Sequence, residues 1–296
     1  MDMIKDVSII FTSIFFESLP FLILGCLISA IIETYVSDET IEKIIPKNKV
    51  LGSIAGIFLG FFLPACDCAV IPVSKRLIKK KVPINVAISF MLASPIINPV
   101  VLLSTYSAFY YNNPSIFWYR LVLGIVIALL IGIIMGLFFD DEEVITNDTD
   151  HCEHCHHHMK HTFKNDFLSI FKHAALDLFD VVKYLMFGAL LASLIQVLLP
   201  RDILMIFNDN QILSILALMI FAYLISLCST SDSFVGKSLL SSFSKTSVVA
   251  YLLLGPMIDI KNTIVLFGNY KKSFVIALIS LIFIIVFALC LVVMNI

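Results

Sequence analysis

The chain has 296 residues, 59% of them apolar and 14% charged, against about 45–50% and about 25% in soluble domains. No soluble fold of this size hides that much apolar surface, so a lipid bilayer must receive it. A net charge of −2 leaves no basic excess for binding nucleic acid.

The start, Met1 to Asp6, lacks the basic region and small-residue cleavage site of a secretory signal. The first apolar run, 7–32, is too long for a signal core and reads as a retained membrane helix. Further apolar runs follow at 50–73, 82–110, 115–139, 167–199, 211–233, 246–269 and 273–293. Each approaches the about 20 residues a spanning helix requires. The expected fold is therefore all-α: a polytopic integral membrane protein of about eight transmembrane helices, two of the runs being alternative candidates for re-entrant hairpins. The connector 37–49 is mildly amphipathic and suits the membrane interface. Seven cysteines, an odd number lying mostly in apolar runs, argue against a disulfide framework.

A polar connector, 140–165, divides the chain into a first transmembrane repeat (1–139) and a second (166–296). Phe16-Glu17 matches Phe179-Asp180, Gly25 matches Gly188, Cys66 matches Cys228, Pro95 matches Pro256 and Asn98 falls on Asp259. Rare polar residues do not align by chance as leucines do. Internal duplication is a common transporter plan, with the site between the halves and built from broken helices. Lys75, Arg76, Lys79, Lys80 and Lys81 mark a cytoplasmic end. Four crossings per half would place both termini and the connector there too, in parallel repeats, but would leave Lys271 and Lys272 outside. An odd number would invert the repeats.

Polar breaks inside the apolar runs carry the chemistry. In Pro64-Ala65-Cys66-Asp67-Cys68-Ala69-Val70-Ile71-Pro72 two prolines flank a Cys-Asp-Cys, freeing backbone groups that must line a cavity or meet protein partners. Ser94-Pro95-Ile96-Ile97-Asn98-Pro99 repeats the device, and an unwound stretch presenting Asn98 is expected. Cys228-Ser229-Thr230-Ser231-Asp232-Ser233 and Gly255-Pro256-Met257-Ile258-Asp259 are the second-half counterparts. The candidate substrate-binding residues are Cys66, Asp67, Cys68, Ser94, Asn98, Cys228, Ser229, Ser231, Asp232 and Asp259. The candidate hinges are Pro64, Pro72, Pro95, Pro99, Gly255 and Pro256. Kinks and packing polar residues are the simpler account of the same pattern. Glu17 and Asp180, matched carboxylates in apolar runs, are candidates for a proton relay. Thiols suit soft cations and thiophilic species.

The central connector carries His151, Cys152, His154, Cys155, His156, His157, His158 and His161, a tract of borderline and soft ligands with one C-x₂-C spacing. No second pair follows, so the tract suits flexible binding of a soft metal ion (zinc or copper) rather than a fixed finger. No cofactor is otherwise indicated.

The run Pro64 to Pro72, followed by Ala93 to Pro99 and by Cys228 to Val235, resembles the ArsP-type predicted permeases over nearly the whole chain. That resemblance implies a multi-helix permease, and some relatives export trivalent organoarsenicals, which bind thiolates. The family often shows Cys-Ser-Cys followed by Gly; here Asp67 and Ala69 take those places. The added negative charge favours a cation.

The leading expectation is a plasma-membrane permease, not an enzyme, exporting a small thiophilic solute by alternating access. Its partners would be the lipid bilayer, a small-molecule substrate and, in a homo-oligomer, further copies of itself. With no G-x-x-x-x-G-K-[ST] loop, energy would come from an ion gradient or a partner. The alternatives are a membrane thiol oxidoreductase using Cys66 and Cys68, and a non-transporting membrane component that binds metal through the connector.

Overall fold

The computed structural model describes residues 2–35, 46, 48–63, 66–111, 113–139, 144–145, 163–198 and 210–294. Pro64 and the His/Cys tract 151–161 lie outside the described residues. Twelve helices are described: α1 (Asp2–Tyr35), α2 (Lys49–Phe62), α3 (Asp67–Lys79), α4 (Ile84–Ile97), α5 (Pro99–Phe109), α6 (Pro114–Phe138), α7 (Phe163–Leu198), α8 (Gln211–Ile225), α9 (Ser229–Leu239), α10 (Lys245–Met257), α11 (Ile260–Asn269) and α12 (Lys272–Met294). The order of α1–α6 recurs in α7–α12, with closely similar lengths from α2 and α8 onward.

Among the described residues six helical stretches are long and apolar enough to cross a bilayer: Met3–Ile32, Ile84–Phe109, Pro114–Phe138, Ala174–Leu198, Lys245–Asn269 and Lys272–Met294. Large apolar side chains such as Phe58, Trp118 and Ile284 face outward, as lipid requires. The other two apolar runs, 50–73 and 211–233, are each split into two short helices that double back. A Cβ at Gly52 would meet Asn85, at Gly56 the Val86 carbonyl, and at Gly60 Ser94. Residue numbers rise together along this contact, so α2 and α4 are parallel. The α3 helix between them must then run backwards, and Ser74 on α3 indeed bonds Met91 Sδ at 3.6 Å. In the second half Ser214 bonds Ser247 at 3.1 Å and Ala222 lies beside Gly255. So α8 and α10 are parallel, and α9 returns. Hydropathy reads each α2–α3 or α8–α9 hairpin as one span, because it records apolar length and not the reversal.

The hairpins enter from opposite ends. The α10–α11 helix starts at the base of the second hairpin and finishes at the base of the first, where Lys75 bonds Asn269 at 3.2 Å and Ser74 bonds Tyr270 at 2.7 Å. Conversely, α4–α5 starts at the base of the first hairpin and finishes along α9, with Ser104 donating to the Thr230 carbonyl at 2.8 Å. The tips therefore meet near mid-depth. Both halves also pack through α1 against α7. Gly25 admits Ala69 of α3, and Gly188 admits the Lys261 backbone.

The breaks in the two long helices are narrower than the proline pattern implies. Pro72, Pro95, Gly255 and Pro256 all lie within helices. The interruption falls at Asn98 (φ −55°, ψ 132°) and at Ile258–Asp259. A proline inside a helix removes one hydrogen bond, but the residue preceding a proline is itself pushed out of the α region. Pro99 therefore places the break at Asn98, and Pro99 becomes the first residue of α5.

Candidate functional site

The site is built from the two hairpin tips. Cys66 is the N-cap of α3 and Cys228 the N-cap of α9, and neither thiol makes a capping bond. The first amides of a helix have no partner inside it, so both N-termini direct partial positive charge at the same region. The tips touch directly: the Ser229 hydroxyl donates to Asp67 Oδ1 at 2.8 Å. Ahead of Cys228, α8 ends at Ser226 in the left-handed region (φ 51°), a conformation costing about 1–3 kcal/mol for a residue other than glycine. The Ser226 hydroxyl accepts the Lys261 amide at 3.5 Å, which gives the side chain a function glycine lacks.

Lys261, at the start of α11, supplies the charge balance. Its ammonium lies 3.8 Å from Asp67 Oδ2 and 3.5 Å from Asp259 Oδ2. Asp67, Asp259 and Lys261 are each at most 4% exposed. Asp259 also caps α11, accepting the Asn262 amide at 2.5 Å. Burying three charges is costly unless they compensate one another, so hairpin and helix are held together by mutual need.

Beside this triad a small cavity of about 30 Å³ is lined by Cys66, Cys68, Cys228, Asp67, Lys261 and Glu17. Such a volume holds about one or two waters. Cys68 lies 3.9 Å from the Ser18 hydroxyl and Cys228 3.4 Å from the Thr230 hydroxyl. All three cysteines are free thiols. Among the described residues no three His, Cys, Asp or Glu side chains converge closely enough to hold a metal ion. The thiols thus share a cleft without forming a ready ligand set.

A second buried cluster lies on the far side of Ser229. Arg120 of α6 is fully buried. It donates to the Thr105 hydroxyl at 2.7 Å, the Ser233 hydroxyl at 2.8 Å and the Ser229 carbonyl at 3.3 Å. Asp232, on the same helix as those Ser229 and Ser233 partners, accepts from Tyr251 at 3.0 Å.

The sequence-derived candidates separate accordingly. Cys66, Asp67, Cys68 and Cys228 line one cleft together with Glu17, and Ser229 and Asp259 contact it through Asp67 and Lys261. Ser94 is buried against α2, with its hydroxyl 3.5 Å from the Leu63 carbonyl, and Asn98 caps α5 through the Val100 amide at 3.0 Å; neither lines the cleft. Ser231 is half-buried on α9, and Asp232 belongs to the Arg120 cluster. Asp180 is exposed, pairs with Lys183 at 2.9 Å and lines a different cleft with Arg76 and Asp177, so it does not join Glu17. Lys261 and Arg120 were not among the candidates, although each was visible as a cation inside an apolar run.

Comparison with known proteins agrees with this architecture. The family described as predicted permease, of the ArsP type, matches residues 3–295. The chain belongs to that family. It is 38% identical over 284 residues to a Streptococcus mutans protein whose name makes it a subunit of a two-component membrane permease complex, covering 96% of this chain and 93% of the relative. It is 40% identical over 280 residues to the UPF0718 protein YcgR of Bacillus subtilis, covering 94% of each. No solved structure matches it. This ArsP-type permease is an integral membrane protein, and its family places it with transporters rather than enzymes.

Proposed function

We propose that this permease exports a small thiophilic solute, a trivalent organoarsenical or a soft metal species, across the cell membrane by alternating access. The observation that carries the reading is the convergence of Cys66, Cys68 and Cys228 in one cleft where two hairpins from opposite ends touch. Soft thiol ligands select soft, polarisable species. Asp67 and Glu17 add negative charge that suits a cation, and Lys261 offsets only part of the charge of Asp67 and Asp259. The present cavity is too small for such a solute, so binding would require the tips to part. The breaks at Asn98 and Ile258–Asp259 are where the long helices would bend.

The two halves, 1–139 and 166–296, fit an inverted repeat with three crossings each. Lys75, Arg76, Lys79, Lys80, Lys81, Lys271 and Lys272 then all fall at the base of the first hairpin. The bias of short loops makes that end cytoplasmic, including the His/Cys connector, and leaves both termini outside. This removes the difficulty that Lys271 and Lys272 posed for an even count. A soft metal ion at the connector would then be held on the side from which solute is exported. The Glu17 carboxylate at the mouth of the cleft is exposed at membrane depth, which favours a mouth capped by a partner subunit or a second copy over one facing lipid.

Vesicles containing the purified protein, loaded with a trivalent organoarsenical or with a soft metal ion, test the reading. Flux through the wild type should fall to background in Cys66→Ser, Cys68→Ser and Cys228→Ser variants that insert normally. Undiminished flux in all three variants would remove the thiol site.

A further inference from the structure

We infer that Asp232 is a proton-binding site that drives transport, separate from the thiol cleft and linked to it through Ser229. The inference builds on the permease reading above.

Three observations carry it. First, Asp232 is almost wholly buried, its Oδ1 is taken by the Tyr251 hydroxyl, and its Oδ2 has no hydrogen-bond partner among the described residues. That oxygen lies against Gly255, where a Cβ would approach it to 3.0 Å, so α10 makes room for it without bonding it. Buried polar atoms are almost always satisfied. An orphan carboxyl oxygen beside a glycine is a place for a group that comes and goes. Second, Arg120 also has an orphan, its buried Nε. Arg120 bonds Ser229 and Ser233, which share a face of α9 with Asp232 at helical spacing. An unsatisfied donor from α6 and an unsatisfied acceptor on α9, of opposite charge, thus lie at the same face of α9. Third, Ser229 connects this cluster to the cleft. Its carbonyl accepts from Arg120 and its hydroxyl donates to Asp67.

The chemistry follows from these positions. With a proton on Oδ2, Asp232 is neutral and Arg120 rests on the two hydroxyls and the Ser229 carbonyl. When that O–H bond breaks and the proton leaves to water, the carboxylate needs a donor and a counter-charge, and Arg120 Nε offers both. Forming that pair draws Arg120 from the Ser229 carbonyl and loosens the tip that holds Asp67. Proton release at Asp232 and opening of the thiol cleft become one equilibrium, and the coupling is reciprocal. The charged and titratable groups facing Asp232 are Arg120 from α6, Tyr251 from α10, Asp67 from α3 and Asp259 at the head of α11. A metal cation in place of the proton is disfavoured by the Arg120 guanidinium, which would repel it while leaving Nε unsatisfied.

Two measurements on the full-length protein in lipid test this. Infrared difference spectra taken across a pH titration, with no solute present, should show a buried carboxylic-acid band that is absent in Asp232→Asn and kept in Asp180→Asn. In vesicles, Asp232→Asn, which has no proton to release, should lose accumulation of a trivalent organoarsenical driven by a pH gradient, falling to the level without a gradient, whereas Asp232→Glu, which keeps a titratable carboxyl, should retain part of it. Gradient-driven accumulation in Asp232→Asn, or an unchanged carboxyl band, would overturn the inference. If the wild type moves no thiophilic solute but the band titrates and disappears in Asp232→Asn, the proton site stands and the solute reading fails.

Discussion

The two hairpin tips occupy corresponding places and carry opposite equipment. At the first, Cys66-Asp67-Cys68 puts a carboxylate in the opening turn of α3 and meets it with Lys261 from the other half. At the second, Cys228-Ser229-Thr230-Ser231-Asp232 puts a hydroxyl at the matching place, moves the acid one turn into α9 and meets that helix with Arg120. The first tip is held by an ion pair at 3.8 Å to Lys261, which is itself paired with Asp259 at 3.5 Å, the second by hydrogen bonds to hydroxyls and a carbonyl. A pair of charges depends on both members remaining, whereas hydroxyls can satisfy one another when a donor is lost.

That difference predicts unequal sensitivity. Lys261→Met should leave Asp67 and Asp259 buried without a cation, at about 3–5 kcal/mol, seen as the largest drop in thermal unfolding midpoint in detergent. Restoring part of it with Asp259→Asn would confirm that uncompensated charge is the cause. Arg120→Met should cost less, about 1.5–3 kcal/mol, because Thr105 and Ser233 already bond each other at 3.0 Å. If the two variants unfold alike, the contrast between ionic and hydroxyl-held tips is wrong. Gly56→Ala probes the same contrast in packing. The α2–α4 contact runs over Gly52, Gly56 and Gly60, whereas α8–α10 uses Ser214 and Ala222 along the matching face. A Cβ at Gly56 must push α4 away, costing about 1–3 kcal/mol in the same assay. Thr105→Val should be the mildest, about 0.5–1.5 kcal/mol, with Arg120 keeping Ser233 and the Ser229 carbonyl.

Composition alone made the chain a helical membrane protein, and the polar breaks located both tips and the head of α11. Two re-entrant hairpins were among the expectations, but which runs reverse was not readable, because residues 50–73 contain enough apolar length for a span and a helix turning back is as apolar as one going through. Ser94 and Asn98 looked like ligands because a proline-flanked amide in an apolar run has two uses, and here Asn98 spends its carbonyl on capping α5. The role of Lys261, itself visible as a cation in an apolar run, was hidden for the converse reason. Its value depends on Asp67, nearly two hundred positions away, and only the fold brings them within reach.

A short contact made by the central connector has a consequence for how the chain can be made. Val144 is fully buried, its carbonyl accepts the Lys271 amide at 2.9 Å, and Ile145 bridges to Tyr270. The first half is thus fastened to the second before the His/Cys tract begins. A nick anywhere in 146–162 would sever no described contact between the halves. Two polypeptides expressed from separate genes, divided in that stretch, should find each other in the bilayer and rebuild one functional unit.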